Sequence, residues 1–493
     1  MTKLADSLAE LAEIERDLPV HRWMVDGIQI WPLFKVRIGH AIAWSVEGLP
    51  APTSDVGISA SVARARSAAR GAAQSFRAPR RSSAQVARGS PVFLSDGVSY
   101  VKLFGQTVDR FCDPLRDELR ESGLEPLLLV PGYGLESLPM PVCRIQRQLD
   151  LDMLAARLRR SRSIQLPAYE DIARRLRSIG LETGIPSQAT IAVGARVIET
   201  WARRLALHLR KAEAVAGLVV EFYSLRGMAF VLACRFAGVP SVDLQHGLQG
   251  ALHFAYGSWR PPEPGYPLLP DRFAVWTSAE ADVIAQWGGS HHRPVVVGNP
   301  FLDRWLVDSP GTVAADREVR AMSPEGRGCP TILWTLGGLE TADQRRELAH
   351  LLAESPPTWR WWIRCHPTRP DIETWDRELS GAAPGRANVR DASSMPLYAL
   401  LRHASAHGTR GSSAVHEATR FGVPSVVVGD AGTAIYSAEI TSNEVLGVPK
   451  WGNRQITDAL TSALERPRSL AARQPDGTWR SWIRELAEDP WAA

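Results

Sequence analysis

Short apolar runs separated by longer amphipathic stretches recur along this chain, a pattern that predicts β-strands buried on both faces and joined by helices. The first series opens with Pro91-Val92-Phe93-Leu94-Ser95 and Leu127–Val130, passes through arginine-rich helical stretches at 151–161 and 191–214, and continues in tight strand-helix units. These are 217–221 with a helix to 237, Ser241–Leu244, and 273–276 with a helix to 287; the run 294–297 closes the series. A second series passes through Thr331–Thr335, 359–363, 404–407 and Ser425–Val428. Alternation at this spacing predicts an α/β protein with two parallel, doubly wound sheets. Ahead of the first series, the N-terminal fifty residues read as a helical pair whose Trp23, Ile28, Ile30, Trp31, Leu33 and Phe34 supply apolar surface. Behind the second, 479–488 predicts a helix that packs back on the first half. The expected division is a helical extension at 1–55, a basic flexible linker at 56–90, domains at 91–310 and 311–475, and the C-terminal helix within 476–493.

Composition supports two ordinary cores: 493 residues, 45% hydrophobic and 22% charged, are enough for two or three domains. No apolar run approaches the roughly 20 residues of a membrane helix. The opening MTKLADSLAELAEIERDL is acidic and polar where a signal peptide is basic and then apolar, so the expected location is cytoplasmic. The cysteines Cys112, Cys143, Cys234, Cys329 and Cys365 show no metal-ligand or disulfide spacing. The net charge of +4 is unevenly placed. Between Asp55 and Asp96 there is no acid, while Arg64, Arg66, Arg70, Arg77, Arg80, Arg81 and Arg88 stand in an Ala/Ser/Gly-rich background. Such a stretch reads as a solvated linker. Its other reading is a contact through 64–88 with an anionic glycan or with anionic headgroups at the inner face of the plasma membrane. Phe76 is its one aromatic residue, so nucleic acid is not indicated as a partner.

Two motifs in the second series carry candidate chemistry. Arg364-Cys365-His366-Pro367 ends an apolar strand, and Thr409-Arg410-Gly411-Ser412-Ser413 opens a helix that continues through Glu417. A loop-to-helix junction aims free backbone N–H groups at an anion, and the serines add hydroxyl donors, so both motifs read as phosphate contacts in one crevice. Glu417 falls on the same helix face as Ser413. Gly337-Gly338, after the strand expected at 331–336, would let backbone approach a diphosphate or sugar. In the first series His246 directly follows the strand ending at Leu244, in a loop whose Gly247 and Gly250 permit close approach of a substrate. His253 and Tyr256 are expected in the same pocket. Each has a structural alternative: a strand-end histidine for His366, an N-cap for Ser412, a pairing with Arg420 for Glu417, a turn for Gly337-Gly338 and for Asp96-Gly97, and packing for the aromatic cluster.

In order and rough spacing, His366-Pro367 and Ser412-Ser413 resemble the HP and SS motifs of bacterial GT-B glycosyltransferases that use CMP-activated sugars, among them polysialyltransferases and capsule Kdo transferases. Asp243-Leu244-Gln245-His246-Gly247 and Val297-Gly298-Asn299-Pro300-Phe301-Leu302-Asp303 resemble elements of capsule-polysaccharide and CDP-glycerol polymer transferases. The resemblance spans about 92 to 428. It implies two Rossmann-like domains with a cleft between them, 91–310 being the acceptor domain and 311–475 the nucleotide-donor domain. It also implies transfer of a sugar, or a polyol phosphate, from a CMP- or CDP-linked donor to a surface-polysaccharide or glycolipid acceptor, as in capsule and cell-envelope biosynthesis. Arg364, His366, Pro367, Gly411, Ser412, Ser413, Glu417, Gly337 and Gly338 would bind the donor; Gln245, Gly247, His253 and Tyr256 would bind the acceptor. The sialyltransferases hold their general base in an acidic pair before a glycine. Here that place reads Ser95-Asp96-Gly97, one acid short, so His246 is the expected base and Asp96 the second candidate. No DxD-type metal motif is evident, and no cofactor or metal is expected. Two alternatives share the architecture: a UDP-sugar 2-epimerase-like isomerase, and a non-catalytic polysaccharide-assembly subunit.

Overall fold

The computed structural model describes residues 3–46, 88–97, 99–103, 106–131, 142–182, 184–322, 328–337, 340–366, 371–468 and 477–491. The chain forms two compact units, Lys3–Pro300 together with Gly477–Ala493, and Phe301–Asp476.

In the first unit, α1 (Lys3–Asp17) and α2 (Trp31–Val46) belong to the same hydrophobic core as the sheet, with Trp23, Trp31 and Phe34 buried alongside Ile198, Phe222 and Phe230. Lys35 of α2 is enclosed with Glu15 of α1; its ammonium bonds both the Glu15 carboxylate and the Ser258 carbonyl, and lies 4.4 Å from the centre of the Trp259 ring. Glu15 also accepts from the Arg260 amide at 3.1 Å and the Tyr266 hydroxyl at 2.8 Å. Burial lowers the Lys35 pKa and the Glu15 charge opposes that. At Gly39, an added Cβ would lie 2.3 Å from Phe254 Cβ, so only glycine lets α2 approach this closely. The extension is thus stapled to the loop 253–266.

The sheet of this unit has seven parallel strands: β1 (Val92–Leu94), β2 (Leu127–Val130), β3 (Val142–Arg144), β4 (Gly217–Val220), β5 (Ser241–Leu244), β6 (Arg272–Val275) and β7 (Arg293–Val296). Their order, β7-β6-β5-β4-β1-β2-β3, is the doubly wound Rossmann order with one strand added at an edge. β1, β4 and β5 are buried at every position, which is why β1 and β4 read as apolar runs and not as alternating patterns. Helices α3 (Cys112–Glu121), α4 (Gln188–Lys211), α5 (Leu225–Ala237) and α6 (Ser278–Gly288) join them. Gly217 admits α5: a Cβ there would lie 2.3 Å from Cys234 Sγ. The C-terminal helix Thr478–Glu488 buries Trp479, Trp482, Ile483 and Leu486 with Leu115 and Leu119 of α3, and Arg480 and Arg484 both pair with Glu118.

The second unit repeats the topology with β8 (Thr331–Thr335), β9 (Arg360–Arg364), β10 (Ala387–Asn388), β11 (Ala406–Thr409), β12 (Ser425–Val428) and β13 (Val445–Val448), all parallel, in the order β10-β9-β8-β11-β12-β13. The strand expected at 404–407 starts two residues later, because Ala404 ends the helix Leu397–His403, its N–H bonding Leu400 O at 2.8 Å. Inside β11, His407 is held between Thr335 Oγ1 at 2.8 Å and Ser425 Oγ at 3.0 Å, and burial pushes its pKa down to about 3. The short helix α7 (Ala414–Arg420) follows β11.

Of the arginine stretch, Arg64 to Arg81 fall outside the described residues; Arg88 is placed 3.1 Å from Glu213 on the surface. Among the described residues no helix is long and apolar enough to cross a membrane.

A buried charge that loses its partner is costly. Lys35→Met should therefore destabilise the first unit by about 3–5 kcal/mol, read as a shift of the denaturant midpoint. A loss below about 1 kcal/mol would mean the Glu15 carboxylate is readily accommodated without its ammonium.

Candidate functional site

In open parallel sheets, ligands bind beyond the carboxyl ends of the strands where the strand order reverses. In the first unit that point lies between β1 and β4, with β5 beside β4: Leu94 pairs with Val219, and Val220 with Leu244. Three loops leave the sheet side by side, carrying Ser95-Asp96-Gly97, Glu221-Phe222-Tyr223-Ser224 and Gln245-His246-Gly247.

Asp96 is a buried turn residue. Its Oδ1 accepts from the Ser99 amide at 2.8 Å and its Oδ2 from the Ser99 hydroxyl. Its neighbour Ser95 donates to Asp109 Oδ2 at 2.6 Å, and Asp109 also accepts from the amides of Phe111 and Cys112 at the start of α3. Burial, with Asp96 and Asp113 adding repulsion, raises the Asp109 carboxyl to about 6.

His246 is half-buried. Its Nε2 lies 3.0 Å from the Tyr223 hydroxyl, and its Nδ1 is enclosed near the Leu244 carbonyl without hydrogen-bond geometry to it. Burial lowers its pKa, against the opposing pull of Asp96, so the ring is neutral at pH 7. His253 packs 5.6 Å from the Tyr223 ring and accepts the Ala255 amide on Nδ1 at 3.1 Å. Burial first, then His246 and His40, bring its pKa down to about 3. Gln245 and Tyr256 are engaged within the protein. The Gln245 amide bonds Gly247 O at 2.9 Å, Glu280 of α6 at 3.0 Å and the Trp276 amide at 2.5 Å, so it braces the loop. Tyr256 is buried and donates to Asp243 Oδ2 at 2.9 Å. Gly247 lies in the His246 loop, half-buried. A small recess opens beside this loop, lined by Arg110, Phe111, Gln245, Trp276, Gly298 and Asn299 among others.

One residue here was not anticipated. Glu221 follows β4 directly with φ +66°, a left-handed conformation that a long side chain rarely adopts. No described residue hydrogen-bonds its carboxylate. Burial and the neighbouring Asp96 raise its pKa to about 7, against the opposing charge of Arg226.

In the second unit the order reverses between β8 and β11, with β9 on the other side of β8; Thr335 pairs with both Arg364 and Thr409. Gly337, His366 and Gly411-Ser412-Ser413 thus leave neighbouring strands at the same edge. His366 is exposed. Arg364 is used internally: its Nη1 donates to the carbonyls of Ala392, Ser393 and Met395 at 3.2, 2.9 and 2.7 Å, closing the helix Arg390–Ser394. In the serine loop, Thr409 Oγ1 accepts from the amides of Gly411 and Ser412 at 3.3 and 3.0 Å, and Ser412 Oγ from the Ala414 amide at 3.3 Å. Ser412 therefore acts as a local cap, its carbonyl held by the Tyr436 hydroxyl at 2.8 Å. Ser413 precedes α7 and makes no side-chain cap bond. Glu417 is buried in α7. The Gly337 amide bonds the Glu340 carboxylate. Pro367, Arg369 and Gly338 lie outside the described residues. With seven residues, α7 adds little dipole, so an anion here would rest on side chains and loop amides. Among the described residues no group of three or more His, Cys, Asp or Glu side chains is arranged to hold a metal ion.

No family model matches this chain, and no curated protein does. Among solved structures, it is similar to the UDP-GlcNAc 2-epimerase of Methanocaldococcus jannaschii in complex with UDP-GlcNAc and UDP, at 11% identity over 81% of this chain and 99% of that one, with a TM-score of 0.49. For the Neisseria meningitidis UDP-GlcNAc 2-epimerase bound to UDP-GlcNAc the figures are 14%, 81%, 100% and 0.48. For the calicheamicin glycosyltransferase CalG4 they are 14%, 82%, 98% and 0.46. Likenesses of this degree carry no argument about activity.

Arg364→Met leaves three carbonyls without their donor. It should lower the stability of the second unit by about 1.5–3 kcal/mol with no ligand present, measured by chemical denaturation. An unchanged midpoint would free Arg364 for a ligand.

Proposed function

We propose that this chain is a nucleotide-sugar enzyme, a glycosyltransferase whose second unit takes a CMP- or CDP-linked donor and whose first unit takes the hydroxyl acceptor, a surface polysaccharide or glycolipid. The observation that carries the reading is positional. In both sheets the polar residues of the motifs fall at the carboxyl ends of the strands that flank the reversal of order, where this architecture binds ligands.

The chemistry divides accordingly. As the bond between the anomeric carbon and the phosphate breaks, negative charge grows on the departing phosphate; we assign its stabilisation to His366 and the Ser413 hydroxyl at the second sheet's edge. Ser412 shapes that loop, and Gly411, where an added Cβ would meet only Gly432 Cα at 3.8 Å, leaves room for a ligand. On the acceptor side, we assign the hydroxyl to the loop of His246, whose neutral ring and the Tyr223 hydroxyl lie 3.0 Å apart as a polar pair. A second reading has one observation in its favour. Asp96 stands close enough to Glu221 to raise its carboxyl pKa, a pairing of carboxyl groups such as an isomerase that moves protons on a UDP-sugar would need. Such an enzyme releases sugar and UDP without an acceptor.

A thermal-shift comparison of CMP, CDP, UDP and GDP tests the donor class, since a ligand at 100 times its Kd adds about 2.7 kcal/mol to the native state. CMP or CDP should stabilise most, and His366→Ala should remove most of the gain. If UDP gives the largest shift, the isomerase reading takes precedence; if GDP does, both fail.

His246→Ala, which removes the group beside Tyr223 that orients the acceptor, should slow turnover by about 10²-fold while leaving the nucleotide-induced shift intact. Lost nucleotide binding in this variant would place His246 in the donor pocket instead.

A further inference from the structure

We propose that Glu221 is the proton acceptor of the first-unit site, held in a strained backbone conformation at the sheet's switch point so that its carboxyl meets the acceptor hydroxyl. This rests on the nucleotide-sugar reading above.

Three independent contacts enforce the left-handed geometry at Glu221. The amide that follows it, Phe222 N, donates at 3.0 Å to Oδ1 of Asp243, a fully buried carboxyl whose Oδ2 is held by Tyr256. The Glu221 carbonyl accepts from the Ser224 amide at 3.2 Å, and Ser224 caps α5 by accepting from the Gly227 amide at 3.0 Å. Gly227 then packs the first turn of α5 against the same peptide: a Cβ there would lie 2.3 Å from Glu221 O. A glutamate at φ +66° is a conformation that persists only when its surroundings over-determine it, and such positions concentrate at sites of function. A glycine here would relieve the strain; the chain carries a carboxyl instead.

The surroundings suit proton transfer. The charged and titratable groups near Glu221 are Asp96 on the loop after β1, Arg226 on α5, Tyr223 on its own loop, Asp243 on β5 and Tyr256 beyond it. Burial and Asp96 outweigh Arg226 and poise the carboxyl at about 7. By contrast Asp96 has both oxygens on Ser99, and the Nε2 of His246 is bonded to Tyr223. In the proposed step the acceptor oxygen attacks the anomeric carbon as its O–H bond breaks. The proton passes to Glu221, and the electron pair of the cleaved carbon–oxygen bond leaves on the nucleotide phosphate. His246 and Tyr223 act as the pair that orients the hydroxyl.

Two measurements test this. The first needs no ligand: melting temperature against pH for wild type, Glu221→Gln and Glu221→Gly. An acid whose folded pKa is raised stabilises the fold below its unfolded pKa and loses that contribution as pH rises towards the folded value. The Gln variant should therefore match wild type near pH 4.5, gain on it by a few degrees up to about pH 7, and stay level above, while Gly should be stabilised at every pH. A Gln-minus-wild-type difference that is flat with pH overturns the proposal alone. The second is hydrolysis of a CMP-activated sugar, with water as acceptor. Wild-type turnover should rise through about pH 7; Glu221→Gln should lose about 10²–10⁴-fold together with that acid limb, keep its CMP-induced thermal shift, and be partly restored in Glu221→Asp. An acid limb that survives in Glu221→Gln and vanishes in His246→Gln returns the proton to the imidazole. Failure of CMP, CDP and UDP alike to raise the melting temperature overturns both the proposal and the donor reading.

Discussion

The first unit is organised around one buried carboxyl. Asp243 interrupts the apolar strand β5 and is completely enclosed, and burial pushes its pKa up to about 8. A group this costly to bury is retained only with its hydrogen bonds satisfied. Its partners, the Phe222 amide and the Tyr256 hydroxyl, come from the two loops that define the site, so one interaction sets the path of both. The orientation of Tyr223 and of the His246 ring bonded to it follows from that path.

The same topology is used twice with different chemistry. At its reversal the first sheet gathers titratable side chains, Asp96, Glu221 and His246, in surroundings that shift the glutamate up and the imidazole down towards neutrality. The second gathers small residues and backbone beside His366, and its strand histidine, His407, is locked in a neutral, fully bonded state. A parallel sheet supplies the scaffold and the place; the loops supply the reaction.

Much of the scaffold was legible because strands buried on both faces leave continuous apolar runs, and every sheet strand with such a run was located. The edge strands Val142–Arg144, Ala387–Asn388 and Val445–Val448 were not, having too few buried positions to leave a pattern. The His246 loop after β5 was legible through its flanking glycines. Glu221 was not, because nothing in a glutamate announces a positive φ; the available signal was indirect, a carboxylate ending the run Gly217–Val220, followed by the cap Ser224 and by Gly227. Arg364 meets a competing demand. An arginine at a strand end suits a phosphate, yet carbonyl groups at the end of a short helix make the same demand, and here they take the guanidinium. Gln245, read through its motif as an acceptor contact, is a brace for the same kind of reason: three backbone and side-chain partners saturate its amide.

The N-terminal helices acquire a role from this chain of contacts. Gly39 lets α2 lie against Phe254, and the enclosed Lys35–Glu15 pair grips the backbone at Ser258 and Arg260 and the hydroxyl of Tyr266. The segment so held includes Tyr256, which in turn holds Asp243, which holds the peptide after Glu221. A strained residue cannot supply its own restraint, so the strain at Glu221 must be balanced by burial elsewhere, and the helical extension lies at the far end of one continuous set of contacts that provides it. Loosening the extension should therefore be felt at the site before it is felt in the sheet, whose central strands are held by hydrogen bonds and apolar packing of their own.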